Sequence, residues 1–209
     1  MILYDYYRSS AAYRVRIALN LKGLSYTRVA VDLLSGEQRS DAYLRQNPQG
    51  LVPALEDEGR VYLQSLAICE YLEDKFSQPA LLPKDIHSRA CVRSLAHLIA
   101  CDTHPLNNLR VLNYLRDELH VDDQQRQLWY QHWLQPALEA FETRLHRSGQ
   151  SGLCCYGDNP TLADICLLPQ LYNARRFAVD FSQLPLICRI EQHCLSLPAF
   201  QQAHPDHPG

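Results

Sequence analysis

Residues 47–55 read Asn47-Pro48-Gln49-Gly50-Leu51-Val52-Pro53-Ala54-Leu55, and Gln64-Ser65 follows shortly after. Asn-Pro followed by Gln-Gly is turn chemistry, so the chain turns before it extends. Val52-Pro53-Ala54-Leu55 opens a strand. Proline has no N–H for a sheet ladder and is confined to strand entrances and edges, so the Val52–Pro53 bond is expected to be rigid, with cis open to it. Asp57-Glu58-Gly59 reads as a hairpin turn and Val61-Tyr62-Leu63 as the returning strand. A helix then runs from Ser65 to about Phe76, carrying Ile68, Leu72 and Phe76 on one face.

Toward the N-terminus the elements alternate. Ile2-Leu3-Tyr4 is a short apolar strand, and Ser9 and Ser10 offer hydroxyls at a helix start. Val15, Ala18, Leu19 and Lys22 follow at helical spacing, and Gly23 stops the helix. Tyr26 to Val31 reads as a strand and residues 38–46 as a short polar helix. The order over residues 1–80 is therefore β-α-β-α-β-β-α. Toward the C-terminus, Ser77-Gln78-Pro79-Ala80-Leu81-Leu82-Pro83 reads as a linker, and everything beyond it is helical. Val92, Leu95, Ala96, Ile99, Thr103 and Leu106 form one stripe, which Pro105 should bend. Leu134, Leu138, Phe141 and Leu145 form a second. Thr161-Leu162-Ala163-Asp164 is a capping-box variant, and Pro185 and Pro198 open short helices.

The 209 residues carry 20 Lys and Arg against 23 Asp and Glu, a formal charge of −3. That balance gives no electrostatic footprint for nucleic acid. No stretch reaches the ~20 apolar residues of a membrane span, and the first eight residues lack the basic-then-apolar order of an export signal. A soluble cytoplasmic chain is expected. The eight cysteines lie between Cys69 and Cys194 without a C-x-x-C pair. They read as reduced, mostly buried thiols, the vicinal Cys154-Cys155 included. His97, Cys101 and His104 fall at i, i+4 and i+7, a spacing that could gather three zinc ligands. With an apolar stripe beside them and no fourth ligand placed by spacing, a structural role is preferred and no metal is expected. The tail from His204 to Gly209 reads as a frayed end.

A small α/β domain with a proline-gated strand, followed by an all-helical domain, resembles the cytosolic glutathione transferases. Three sets of residues sharpen this toward the zeta class. Arg8-Ser9-Ser10-Ala11-Ala12-Tyr13-Arg14-Val15-Arg16-Ile17-Ala18-Leu19 resembles its first-helix signature. Asn47 to Leu55 with Gln64-Ser65 resembles the glutathione-binding half-site. Asp102-Thr103-His104-Pro105-Leu106-Asn107-Asn108, Thr161-Leu162-Ala163-Asp164 and Ala174-Arg175-Arg176-Phe177 resemble its helical domain. The resemblance implies an α/β thioredoxin-like domain over 1–80, an all-α substrate-binding domain over 87–209, glutathione as cofactor and a homodimer. The implied activity is cis–trans isomerisation of maleylacetoacetate in tyrosine and phenylalanine breakdown, with maleylpyruvate as the rival substrate. A general transferase acting on small halo acids and a non-enzymatic, partner-binding protein of this fold are the competing readings. Many members read Ser-Ser-Cys where this chain has Ser9-Ser10-Ala11. Because a serine is the residue credited with activating glutathione, Ala11 bears on thiol side chemistry more than on isomerisation.

That activity needs a detachable thiolate. A cis double bond conjugated to a carbonyl cannot turn; once a thiolate adds, the bond is single and rotates, and elimination leaves the trans isomer with glutathione regenerated. A free thiol of pKa ~8.5 is only a few per cent ionised at neutral pH, and lowering it by two units asks about 2.7 kcal/mol of the site. A serine hydroxyl donates one hydrogen bond, and a helix start favours an anion. One serine would cap the helix in any case; family position favours Ser9 for the sulfur, with Ser10 in support. Tyr6 and Tyr7 are given packing roles. For glutathione itself, the resemblance implies that Val52 pairs its backbone with the cysteinyl part as an added strand would. Pro53 sets that edge, Gln49 reaches the peptide backbone, and Gln64 and Ser65 take the γ-glutamyl end at a helix N-terminus. His104, Asn107 and Asn108 stand at the Pro105 bend as further glutathione contacts. Bland alternatives stay open: a strand-entry proline, a capping Ser65, a turn Gln49, and side chains that satisfy backbone groups freed by Pro105. A dicarboxylate substrate calls for guanidinium forks, and Arg8 and Arg176 are expected to supply them, with Arg110 on an exposed face.

Overall fold

A computed structural model describes residues 1–207, whose contacts divide them into two units: Met1–Leu81 joined by the segment from Leu195 onward, and Leu82–Cys194. The elements run β1 Ile2–Asp5, α1 Ser10–Leu21, β2 Thr27–Ala30, α2 Asp41–Leu44, β3 Ala54–Asp57, β4 Arg60–Leu63, α3 Ser65–Lys75, α4 Ile86–His97, α5 Leu109–Asp117, α6 Asp123–Ser148, α7 Leu162–Arg176, α8 Pro185–Ser196 and α9 Pro198–Ala203.

In the first unit the strands lie in the order β2-β1-β3-β4. Helix α1 carries the chain back across the sheet, so β2 runs parallel to β1, while β3 and β4 are antiparallel to their neighbours. Leu3 and Leu55 face each other in register and are fully buried together with Val15, Ala18 and Leu19 of α1 and Ile68 and Leu72 of α3. The hairpin turn forms where expected: Glu58 and Gly59 have φ of 51° and 74°, the two positive values that match a primed turn to strand twist. Strand β3 begins only after the Val52–Pro53 bond, which is cis. The helix expected over 38–46 is shorter. A 3-10 turn over Glu37–Arg39 is followed by the single turn of α2, because the extended Ser40 intervenes and caps α2 through the Tyr43 amide.

Two buried cations tie this unit together. Lys22, at the end of α1, donates to Glu73 Oε2 at 2.6 Å and to the carbonyls of Phe76 and Pro79, which anchors the segment that reads as a linker. Arg16 donates to Asp5 Oδ1 at 2.6 Å, to the Tyr7 carbonyl and to the Ala203 carbonyl. The last of these holds the residue just ahead of the tail expected to fray, and the first two residues of that tail pack as well, which corrects the expectation there. Ala203 and Pro205 are buried, and the His204 ring meets Tyr13 edge-on at 6.0 Å, because Arg16 needs that carbonyl as a buried acceptor. Pro208 and Gly209 lie outside the described residues.

The second unit is helical. Val92, Leu95 and Ala96 of α4 and Tyr130, Leu134, Leu138, Phe141 and Leu145 of α6 are buried, as is nearly every residue of α7 up to Leu171. Pro105 acts as expected on the chain path. Helix α4 widens into a π segment over Leu98–Thr103, then tightens to a 3-10 turn over His104–Asn107, so Leu106 leaves the stripe and is only half-buried. The capping box at Thr161 forms. Asp164 accepts from the Thr161 amide and hydroxyl and, from the preceding loop, the Cys155 amide. Burial raises the Asp164 pKa while those three bonds oppose the rise. All eight cysteines are free thiols, with Cys69, Cys154, Cys155, Cys166 and Cys194 buried. Among the described residues no helix is long and apolar enough to cross a membrane.

Asp5→Asn would leave Arg16 buried without its counter-charge, an arrangement that costs about 3 kcal/mol or more. Urea unfolding of the variant should show that loss. A change under about 1 kcal/mol would mean that the pair is not holding the sheet to α1.

Candidate active site

The loop between β1 and α1 is built to present Ser9. The Ser9 amide closes a tight turn on the Tyr6 carbonyl at 2.8 Å, and the next carbonyl, Tyr7, is held by Arg16. Ser9 is extended, with φ −69° and ψ 118°, and caps α1 by accepting from the Ala12 amide at 3.2 Å. Acceptance uses an oxygen lone pair, so the hydroxyl hydrogen still has a bond to donate. Cap and donor are compatible in one serine. Ser10 is 4% exposed, turned into the unit rather than outward. The first turn of α1 contains no acidic residue, so its positive end is left for an anion. Arg8 is exposed, lies over the Tyr7 ring at 5.1 Å and pairs with no carboxylate among the described residues.

The two tyrosines divide. Tyr6 packs against the cluster of Val31, Tyr43 and Val52; desolvation, with Tyr7 adding to it and Arg8 opposing, raises its pKa, which keeps the phenol protonated at neutral pH. Tyr7 packs only in part, its ring 5.0 Å from that of Tyr6. It is 39% exposed and serves as a platform for Arg8, because the tight turn to Ser9 directs it outward.

A second helix N-terminus lies in the same unit. Gln64 precedes α3 with φ 68° and ψ 116°, and its side chain makes no capping bond. Ser65 is the first helical residue rather than the cap, which removes the bland reading of it. Its hydroxyl, 7% exposed, accepts from Arg14 Nη1 at 3.3 Å. The first turn of α3 is also free of acid. Gln64 Nε2 donates to Gln49 Oε1 at 2.7 Å, joining two expected site residues 15 positions apart.

Between these ends runs the proline-gated strand. The β1–β3 ladder stops at Tyr4 opposite Ala54, so Val52 lies beyond it with its backbone outside the sheet. Sequence reasoning did not assign roles to the residues that hold this loop. Asn47, 2% exposed, donates to the Leu51 carbonyl at 2.7 Å and accepts from the Gln49 amide, while the Tyr43 hydroxyl also donates to Leu51. The signal was present in Asn47, whose side chain commonly folds back on the backbone two residues on. Gly50 has φ +60°, and a Cβ there would stand 3.0 Å from the Gln38 carbonyl, so any other residue at this turn would be strained. A strand end whose backbone lies outside the sheet ladder, two acid-free helix N-termini and a serine hydroxyl fit a short peptide bearing a thiol and a carboxylate.

The remaining expected residues belong to the second unit. Asn108 caps α5 by accepting from the Arg110 amide, and its Nδ2 meets His104 Nε2 at 3.3 Å. Both fit the local, structural alternative. Asn107 does not. It is 8% exposed, and neither amide atom has a partner among the described residues, a state that costs roughly 1–3 kcal/mol until something supplies one. Arg176 is exposed on the last turn of α7, bonds Asn173 Oδ1 at 3.3 Å, lies near the Tyr172 and Phe177 rings and has no carboxylate partner among the described residues. Arg110 is exposed, as are His97 and Cys101.

Residues 3–80 match the family model for the glutathione S-transferase N-terminal domain. A maleylacetoacetate isomerase from Pseudomonas aeruginosa is 50% identical over 208 residues, 98% of this chain and 96% of that one. Among solved structures, the holo form of maleylpyruvate isomerase, a bacterial zeta-class enzyme, has a TM-score of 0.98 at 44% identity, covering 100% of this chain and 98% of its own. A maleylacetoacetate isomerase from Methylobacterium extorquens, with bound malonate and glutathione, has a TM-score of 0.96 at 40% identity over 100% of this chain and 98% of that one. This chain belongs to the zeta class of the glutathione S-transferase family.

Positive φ at a residue with a Cβ costs ~1–3 kcal/mol, so Gln64→Gly should be more stable than Gln64→Ala by about 1 kcal/mol, although both lose the Gln49 bond. Urea unfolding of the pair checks this; Ala equal to or above Gly would show that the Gln64 backbone is unstrained.

Proposed function

We propose that this chain is a glutathione-dependent cis–trans isomerase that converts maleylacetoacetate to fumarylacetoacetate in tyrosine breakdown. The observation that carries the reading is a serine hydroxyl with a bond to donate, at an acid-free helix N-terminus, directly beside an arginine that pairs with no carboxylate among the described residues. Glutathione, when bound, would supply a thiolate able to add reversibly to a conjugated double bond.

The residues of this chain do the rest. Ser9 donates to the sulfur, and the positive end of α1 favours the thiolate over the thiol. Ser10, buried beneath it, supports the turn. Val52 offers its free backbone edge, Pro53 holds that edge, and Gln49 and Gln64 act as one hydrogen-bonded pair on the peptide. Ser65 and the α3 N-terminus take the γ-glutamyl carboxylate. Asn107 makes a further glutathione contact with its unpartnered amide, and His104 and Asn108 hold the turn that carries it. Arg8 and Arg176 bind the carboxylates of the substrate as guanidinium forks. The relative solved with both malonate and glutathione bound supports a dicarboxylate beside the cofactor. The protein works in the cytoplasm as a homodimer. Arg8 favours a dianionic acid over a neutral electrophile, and the ratio of kcat/KM for maleylacetoacetate and maleylpyruvate ranks the two acids.

With glutathione and maleylacetoacetate the protein should form fumarylacetoacetate without consuming glutathione; stoichiometric loss of glutathione would instead identify a conjugating transferase. Ser9→Ala should lower kcat by roughly 100-fold while the glutathione KM moves by less than about threefold. An unchanged kcat would move the role to Ser10 or to the backbone. Arg8→Met should raise the KM for the acid by roughly tenfold with a smaller change in kcat, and no change would place Arg8 outside the site.

A further inference from the structure

Helix α1 carries two almost wholly buried arginines, Arg14 at 2% exposure and Arg16 at 1%. They are compensated differently. Arg16 uses all three nitrogens, on Asp5 and on two carbonyls. Arg14 makes one bond, from Nη1 to Ser65 Oγ, and its Nε and Nη2 have no partner among the described residues. No carboxylate pairs with it there. A buried cation without a counter-charge is strongly destabilising, so the position of Arg14 calls for an anion that the described residues do not supply. Its single contact falls on the first residue of α3, at a helix end that no side chain caps and no acidic residue shields.

We infer that Arg14 is a positioning residue for the cofactor, whose buried charge is balanced, through Ser65, by the γ-glutamyl carboxylate of glutathione. This rests on the reading that glutathione binds along the first unit, and it adds a residue to that site. Because Arg14 donates to Ser65 Oγ, the hydroxyl hydrogen of Ser65 is directed elsewhere, free to reach a carboxylate. The chain from guanidinium to hydroxyl to carboxylate is polarised in one direction, and each bond strengthens the next. The two arginines of one helix then divide the work. Arg16 closes its charge inside the protein and builds the fold; Arg14 leaves its charge open and reads the ligand.

Calorimetric titration of wild type and Arg14→Met, with glutathione and with 4-aminobutyryl-cysteinylglycine, which lacks only the γ-glutamyl carboxylate, tests this. Wild type should prefer glutathione by roughly tenfold or more, and Arg14→Met should reduce that preference to within about twofold. A merely structural arginine would weaken both ligands equally and leave the preference intact, which would overturn the inference. If Arg14→Met does not fold, Arg14→Gln, still able to bond Ser65 but uncharged, is read in the same way. Wild type that binds neither ligand would instead overturn the glutathione reading itself, and this inference with it.

Discussion

The ion pair between Asp5 and Arg16 carries the architecture of the first unit. Asp5 ends β1, and its two oxygens receive Arg16 and Arg28. Arg16 in turn holds the Tyr7 carbonyl and the Ala203 carbonyl. One buried cation therefore fixes the end of a strand, the following loop and a helix that arrives from the far end of the chain. The loop it fixes carries Tyr7, Arg8 and Ser9. A buried pair of this kind adds little net stability over apolar packing, but it admits only one arrangement of the groups that satisfy it. The placement of Ser9 to within hydrogen-bonding tolerance follows from that arrangement.

Two helix N-termini then do related work with different chemistry. At α1 a serine caps the helix and keeps a proton to donate, which suits a soft anion that must be held and released. At α3 no side chain caps the helix, Gln64 sits in a conformation rarely adopted by residues with a Cβ, and a buried arginine stands behind the first serine. That suits a carboxylate that stays in place throughout. The absence of acid from both first turns is a simple property of the sequence, and it leaves each positive end to the ligand.

Much of this was legible in the residues, because local rules govern it. Ser9 as a helix start, Gly23 as a stop, the Glu58-Gly59 hairpin and the Thr161–Asp164 box all follow from capping and turn chemistry within a few positions. The order of elements follows from periodicity, and the family motifs extended it to a site. What was not legible depends on long-range partners. Arg14 and Arg16 look alike in sequence, and only the sheet beneath them decides that one meets Asp5 and the other Ser65. Asn107 and Asn108 are adjacent and identical, yet Asn108 caps α5 and Asn107 is buried without a partner among the described residues. The tail read as frayed because nothing local holds it; its anchor lies 187 positions away on Arg16. Tyr7 packs on Tyr6 as aromatic residues usually do, and a tight turn leaves its other side to Arg8.

In the proposed function the first unit converts a weakly acidic thiol into a thiolate at neutral pH. The direct measurement is the pH titration of bound glutathione, followed by the ultraviolet absorbance of its thiolate in the wild-type complex and in Ser9→Ala. The bound thiol should titrate about two units below the free value of ~8.5, with most of that shift lost in Ser9→Ala. A bound thiol that titrates near the free value in the wild-type complex would contradict it.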